Sequence, residues 1–267
     1  MRLRPYQLAA VQRIREQIRA GRKNILVVAP TGAGKTVIGA HILHQVDEKF
    51  SRGLFVAHRR EIIHQTSEKL DAFGCPHAIF MSGHRPSAFS NIQVVSIQTF
   101  QARKRAEKHI PPLADVIMID EAHRSVAKGY QELRNHYPDA ILIGLTATPI
   151  RGDGRGLGGM YDAMIEVESV QGLIDRGFLV NTRIVAPTMP DLTGVRTRGG
   201  DYVEEDLEKL MDKATLVGNV VEEWKSLAHD RKTVVFSSGV GHSKHLCEAF
   251  RAAGYGRSTS TGRRPAT

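Results

Sequence analysis

The run Ala29-Pro30-Thr31-Gly32-Ala33-Gly34-Lys35-Thr36 contains the residue types needed to hold a polyphosphate. Gly32 and Gly34 let the backbone curl so that its N–H groups face the phosphates. Lys35 can reach β- and γ-phosphates, and the Thr36 hydroxyl can ligate magnesium. An apolar stretch at 25–29 precedes the run and a helix-length segment at 35–49 follows it, which is the strand–loop–helix context such a loop needs. The helix start adds positive potential. Ala29 stands where the GxxxxGK[ST] pattern has its first glycine. A second group, Asp120-Glu121-Ala122-His123, ends the apolar run Val116–Ile119. There Asp120 would hold magnesium through its water shell, and Glu121 would orient and polarise an attacking water. A glycine-rich turn and a solvated acidic loop are the bland alternatives, and each loses weight in the company of the other.

These groups must be positioned by a regular scaffold, and the chain signals one. Buried-strand runs recur at Ile25–Ala29, Leu54–Ala57, Ile92–Ser96, Val116–Ile119 and Ile141–Leu145. Helix-length segments lie between them at 35–49, 60–72, 97–108 and 126–136. Continuously apolar strands alternating with helices indicate a parallel sheet covered on both faces. Before the first strand, residues 7–20 place Leu8, Val11, Ile14 and Ile18 on one helical face, and Gly21 stops that helix. The glycine-dense stretch 151–161 and the Pro/Thr/Gly/Arg-rich stretch 188–201 read as loop and linker. A helix at about 213–229, a strand at Thr233–Ser237 and a helix at about 242–253 look like the start of a second α/β domain.

Bulk properties exclude several classes. Of the 267 residues 41% are hydrophobic, enough for a core, yet no apolar stretch nears the roughly 20 residues of a membrane helix. Met1-Arg2-Leu3-Arg4-Pro5 leads into a polar amphipathic helix rather than a signal-peptide core, so a cytoplasmic location is expected. Cys75 and Cys247 have no metal-ligand spacing and read as reduced, buried residues. The net charge of +9 suits a polyanionic partner but is weak support by itself. His58, His64 and His123 share no spacing that fixes a metal geometry.

With these motifs in order, the chain resembles superfamily 2 helicases of the DEAH-box, type III restriction-subunit-like branch. Arg4-Pro5-Tyr6-Gln7 resembles the adenine-recognising segment of that branch, with Gln7 reading the adenine edge and Tyr6 packing nearby. Residues 56–65, Val-Ala-His-Arg-Arg-Glu-Ile-Ile-His-Gln, match motif Ia, and Val95-Ser96-Ile97-Gln98-Thr99-Phe100 matches the next nucleic-acid contact. Leu145-Thr146-Ala147-Thr148-Pro149 matches motif III, and Val234-Val235-Phe236-Ser237 resembles motif IV. The resemblance implies an α/β fold: a P-loop NTPase, RecA-like parallel sheet with helices on both faces, plus an incomplete second RecA-like lobe. It places the ATP-binding lobe at 1–180, a linker and helical connection at 181–230, and the start of the second lobe at 231–255. It implies ATP and Mg²⁺ as ligands, with Tyr6, Gln7, Thr31, Gly32, Ala33, Gly34, Lys35 and Thr36 around the nucleotide. Lys35, Asp120 and Glu121 would be catalytic, with Thr36 and Asp120 on the metal. His123, Thr146 and Thr148 would couple the DEAH loop to the strand-binding surface. Arg59, Gln98 and Thr99 would offer donors to the phosphates of one nucleic-acid strand, DNA by family, with no membrane partner.

The resemblance also implies a longer second lobe than follows Tyr255. The segment 256–267 carries no large apolar residue. The segment is expected to be disordered; back-translated one frame over, Gly256–Gly262 yields Ala-Glu-His-Leu-Asp-Gly, similar to a stretch that family members commonly carry after this helix, so a one-base loss near codon 256 is expected, with a naturally short basic tail as the alternative. Three activities follow. The first is an ATP-dependent helicase or translocase. The second is an ATP-binding module with little hydrolysis or unwinding. The third is a fragment of a restriction-system motor subunit, for which no nuclease constellation is visible. A P-loop kinase would leave motif Ia, the segment 95–100 and motif III without purpose.

Overall fold

A computed structural model describes residues 1–84, 90–105, 111–125, 127–149, 156–185, 192–198, 201–211, 214–228 and 231–255. Its contacts divide the chain into two compact units, Met1–Asn181 and Thr182–Thr267.

The first unit is a seven-stranded sheet in the order β3-β4-β2-β5-β6-β1-β7. Its strands are β1 (Asn24–Val28), β2 (Gly53–Ala57), β3 (His77–Phe80), β4 (Ile92–Ser96), β5 (Val116–Asp120), β6 (Ile141–Thr146) and β7 (Ala163–Glu166). Every pairing is parallel, as expected from the α/β alternation. The central strands read as unbroken apolar runs because both faces are covered. Ile25, Val27, Phe55, Ala57, Val94 and Met118 point into a core built with α1 (Pro5–Arg19), α2 (Lys35–Asp47) and α3 (Arg60–Phe73). Their neighbours Leu26, Leu54, Val56, Val95, Ile117 and Ile119 point the other way, towards α4 (Ile97–Arg105) and α5 (Lys128–His136). The period of two along each strand thus serves two cores.

Two details differ from the expectation, and a third lies partly outside the described residues. The sheet has edge strands β3 and β7, which the sequence did not signal because each buries little of its surface. The buried face of α1 is Tyr6, Gln7, Ala10, Val11 and Ile14, while Leu8 is 51% exposed. Leu8 falls off the i, i+3, i+4, i+7 stripe that starts at Gln7. The glycine-dense segment is described only from Gly156, where Leu157–Met160 form a turn held by the Met160 N–H on the Leu157 carbonyl at 2.9 Å. Beyond β7, α6 (Val170–Asp175) is capped by the Ser169 hydroxyl, which accepts from the Gly172 N–H.

The second unit has an antiparallel ribbon of β8 (Thr197–Arg198) and β9 (Asp201–Tyr202), then α7 (Glu204–Met211), α8 (Ala214–Ala228) and α9 (Val240–Ala252). Val221, Trp224 and Phe250 form its small core, and the Trp224 indole donates to the Thr233 hydroxyl at 2.8 Å. Glu208 accepts from the N–H groups of Gly241 and His242 at the start of α9, at 2.9 and 3.2 Å. The strand expected at Thr233–Ser237 does not form: the segment joins no ladder, and Val234 and Phe236 are 77% and 93% exposed. A strand needs a neighbour to take its N–H and C=O groups, and no described residue of this unit supplies one there. Cys75 and Cys247 are buried and form no disulfide, as expected. Residues 256–267, on which the frame-change expectation rests, lie outside the described residues.

Candidate functional site

The loop at Ala29–Thr36 is fixed at both ends by the sheet and the helix it joins. The Ala29 N–H donates to the Thr146 carbonyl of β6 at 2.9 Å, so the loop leaves β1 beside the end of β6. Gly32 and Gly34 hold φ of +84° and +81°, the left-handed region in which a side chain is strained. A Cβ at Gly34 would lie 2.5 Å from Gln7 Nε2. Gly34 is the N-cap of α2, and its carbonyl accepts the N–H groups of Val37 and Ile38 at 3.0 and 3.1 Å. Lys35 Nζ donates to the Ala29 carbonyl at 3.2 Å, which keeps the ammonium folded over the loop. Thr36 is half-buried in the first turn of α2, and Thr31 is exposed at the loop tip.

Tyr6 and Gln7 reach this loop from α1. The Tyr6 hydroxyl and Gln7 Nε2 both donate to the Ala33 carbonyl, at 3.1 and 2.9 Å. The other end of the Gln7 amide accepts the Arg4 N–H at 2.9 Å. Both side chains are buried, so in this structure they brace the loop from behind. A layer that the sequence did not reveal lies against them. Phe178 meets Tyr6 edge to face at 5.1 Å, and the Arg4 guanidinium sits 5.0 Å over the Phe178 ring. Leu173 joins Tyr6, Ala29 and Ala33 in the same apolar cluster. Nothing local to Phe178 marks it; only tertiary packing brings it there.

Asp120 ends β5, directly opposite Leu145 of β6 in register, while Thr146 of β6 is opposite Val28 of β1. The ends of three adjacent strands therefore carry the loop, the acidic pair and the motif III threonine. Asp120 is almost fully buried, and its pKa is pushed up to about 6, first by burial and then by repulsion from Glu121, with Lys35 opposing. Glu121 adopts φ +53°, one of two non-glycine residues with positive φ among the described residues. That backbone costs about 1–3 kcal/mol and is the kind of strain found where a side chain must be aimed. His123 Nδ1 lies 3.3 Å from Glu121 Oε2 and 3.4 Å from Thr146 Oγ1. The fully buried Thr146 hydroxyl in turn donates to the Thr148 carbonyl at 2.8 Å and accepts the Thr148 N–H at 3.2 Å. Glu121, His123, Thr146 and Thr148 are thus one connected chain. Behind it, Tyr161 donates to Ser125 at 3.3 Å, and Ser125 to the Ala122 carbonyl at 2.6 Å. Gly144 leaves room for this packing, since a Cβ there would collide with Tyr161 and Ala122.

On the β2–β4 side, Arg59 is exposed at the N-cap of α3. Gln98 is also exposed, and its Nε2 donates to the His58 carbonyl at 2.9 Å while its Oε1 accepts from Ser96 at 2.9 Å. Thr99 is placed differently: it is buried, and its hydroxyl accepts the Ser82 N–H at 3.1 Å, so it holds the loop after β3. The three histidines do not converge. His64 packs against His84 with ring centroids 5.8 Å apart, and His123 pairs with Glu121. Among the described residues no group of three His, Cys, Asp or Glu side chains is arranged to hold a metal.

Comparison with known proteins adds the family. A 51.5 kDa protein of a Lactococcus phage (isolate 7-9) is 28% identical over 229 residues, covering 86% of this chain and 47% of that protein. The type I restriction enzyme EcoAI endonuclease subunit of Escherichia coli is 26% identical over 274 residues, covering 92% of this chain and 34% of that subunit. The chain therefore spans about a third to a half of the length of these curated relatives. The Hef helicase domain of Pyrococcus furiosus shares the fold, with a TM-score of 0.53 at 20% identity over 94% of this chain and 53% of that one. Residues 1–151 match the family described as type III restriction enzyme, res subunit, and with more than half of its length matched the chain belongs to that family, a branch of the superfamily 2 helicases.

Proposed function

We propose that this chain is the nucleotide-binding part of an ATP-driven nucleic-acid motor that acts on DNA. The observation that carries the reading is the convergence of Lys35, Asp120, Glu121 and the His123–Thr146–Thr148 chain at adjacent strand ends. In this reading the N–H groups of Gly32–Thr36 and the Lys35 ammonium bind the phosphates of ATP. Tyr6 and Gln7, anchored on the Ala33 carbonyl, line the adenine side.

The donor set fits a hard divalent cation. Thr36 supplies a hydroxyl, and Asp120 is a buried carboxylate whose charge is disfavoured unless a cation compensates it. Bound there, magnesium would neutralise charge on the phosphates. Glu121 orients the attacking water and takes its proton, and His123 fixes the carboxylate against Thr146. Arg59 and Gln98 lie exposed along the same edge of the sheet, where donors can track phosphates of one strand without reading bases. Residues 231–255 are read as part of a second RecA-like lobe.

The test is ATP hydrolysis with and without single-stranded DNA, in wild type and Glu121→Gln. The substitution should keep ATP binding and lower turnover by about 10²–10⁴-fold, the scale of a lost general base. Turnover that is indifferent to Glu121→Gln would contradict the reading.

A further inference from the structure

His58 stands one residue beyond β2, between the exposed Arg59–Gln98 edge and the acidic loop. Its backbone belongs to the first: the carbonyl is clipped by Gln98 Nε2 at 2.9 Å, and Arg59 beside it opens α3. Its ring belongs to the second. The charges felt by the imidazole come from Arg124, Arg59, Glu121 and His123. Both ring nitrogens are shut off from solvent, and neither has a hydrogen-bond partner among the described residues. Burial and the two guanidinium groups hold the ring below its ordinary pKa, so it is neutral and has one donor and one acceptor to satisfy.

A side chain with two unmet polar atoms is costly to keep, and such groups call for a functional explanation. The acceptors and donors nearest in charge are those of Glu121, His123 and Arg124, on the loop that carries the water-orienting carboxylate. A strand that engages Gln98 or Arg59 pulls on the backbone of His58 directly. Val56 of β2 lies opposite Ile119 of β5, so His58 and Glu121 each stand two residues beyond that paired position, at neighbouring strand ends.

We propose that His58 is a positioning residue that couples nucleic-acid contact at Arg59 and Gln98 to the placement of Glu121. This rests on the reading of Glu121 as the water-orienting carboxylate and of Arg59 and Gln98 as strand contacts. The coupling is reciprocal, so it is measurable as a change in strand affinity on nucleotide binding.

The experiment titrates the full chain with a fluorescein-labelled oligo-dT, with and without Mg²⁺ and the slowly hydrolysed analogue ATPγS. Wild type should change its affinity for the oligonucleotide by about fivefold or more when the nucleotide is present. His58→Phe fills the space without nitrogens and should bring that ratio near one, with each ligand alone binding within about twofold of wild type. His58→Gln, which restores a donor and an acceptor, should recover part of the ratio; a residue that merely packs would prefer phenylalanine. His58→Ala gives the same readout if phenylalanine is not accommodated. Full coupling in His58→Phe overturns the proposal, as does a wild type that binds both ligands independently. A wild type with no nucleotide binding that Lys35→Ala can remove takes away the underlying reading as well, and is recognised by that control.

Discussion

Leu54-Phe55-Val56-Ala57 and Val234-Val235-Phe236-Ser237 are almost the same kind of peptide, and the two units treat them in opposite ways. Phe55 and Val56 are fully buried in β2, with β4 on one side and β5 on the other. Phe236 is 93% exposed and Val235 44%, on a segment with no ladder. Strand propensity is a weak prior that becomes structure only where neighbours supply hydrogen bonds and a face to pack on. The first unit has seven strands and two cores to offer, whereas the second has a small cluster around Trp224 and Phe250.

The contrast is tested most severely by paired truncations. Phe55→Ala should cost about 3–5 kcal/mol, the range for emptying a buried aromatic site. Phe236→Ala should stay within about 0.5 kcal/mol of wild type. Urea unfolding of both variants measures this, and comparable losses would mean that the segment at 234–237 is packed in solution.

Within the first unit the comparison sharpens, because there some burial works against stability. Asp120 is held up to about 6 by burial, so the native state keeps this proton more tightly than the unfolded chain does. Its contribution to stability is therefore fully present below the unfolded carboxylate value near pH 4 and is lost as pH rises through about 6. In metal-free buffer Asp120→Asn should raise stability at pH 8 by on the order of 1–3 kcal/mol and leave it unchanged near pH 4. Urea midpoints at the two pH values check this, and a variant less stable at pH 8 would reverse the assignment. A small effect is also expected at Tyr130, whose buried hydroxyl has no partner among the described residues and is pushed up to about 12 by burial. Tyr130→Phe should be neutral or stabilising by up to about 1 kcal/mol, and a larger loss in thermal unfolding would reveal a bond to that hydroxyl.

How much was legible follows the same physics. The central strands and the glycine-bearing loop at 29–36 could be read because their constraints are local: continuous apolar runs, and glycines where φ must be positive. The edge strands β3 and β7 could not, since His77-Ala78-Ile79-Phe80 and Ala163-Met164-Ile165-Glu166 are short and half-covered. Candidate site residues could be picked out by their spacing, but their packing partners could not. The Phe178 ring against Tyr6 and Arg4, and the unpartnered His58 ring near Glu121, arise from distant segments that meet only in the fold. Thr99 shows the converse: its motif position suggested a phosphate contact, yet its hydroxyl is turned inward to Ser82.

The central claim is that the loop at 29–36 and the acidic pair at 120–121 form one nucleotide site. Equilibrium titration of wild type and Lys35→Ala with Mg²⁺·ATP tests it most directly. Saturable binding is expected in wild type, weakened about ten- to hundredfold in a folded Lys35→Ala, the scale of a charge-assisted hydrogen bond. Absence of saturable binding in wild type, or equal affinity in the two proteins, would contradict the account.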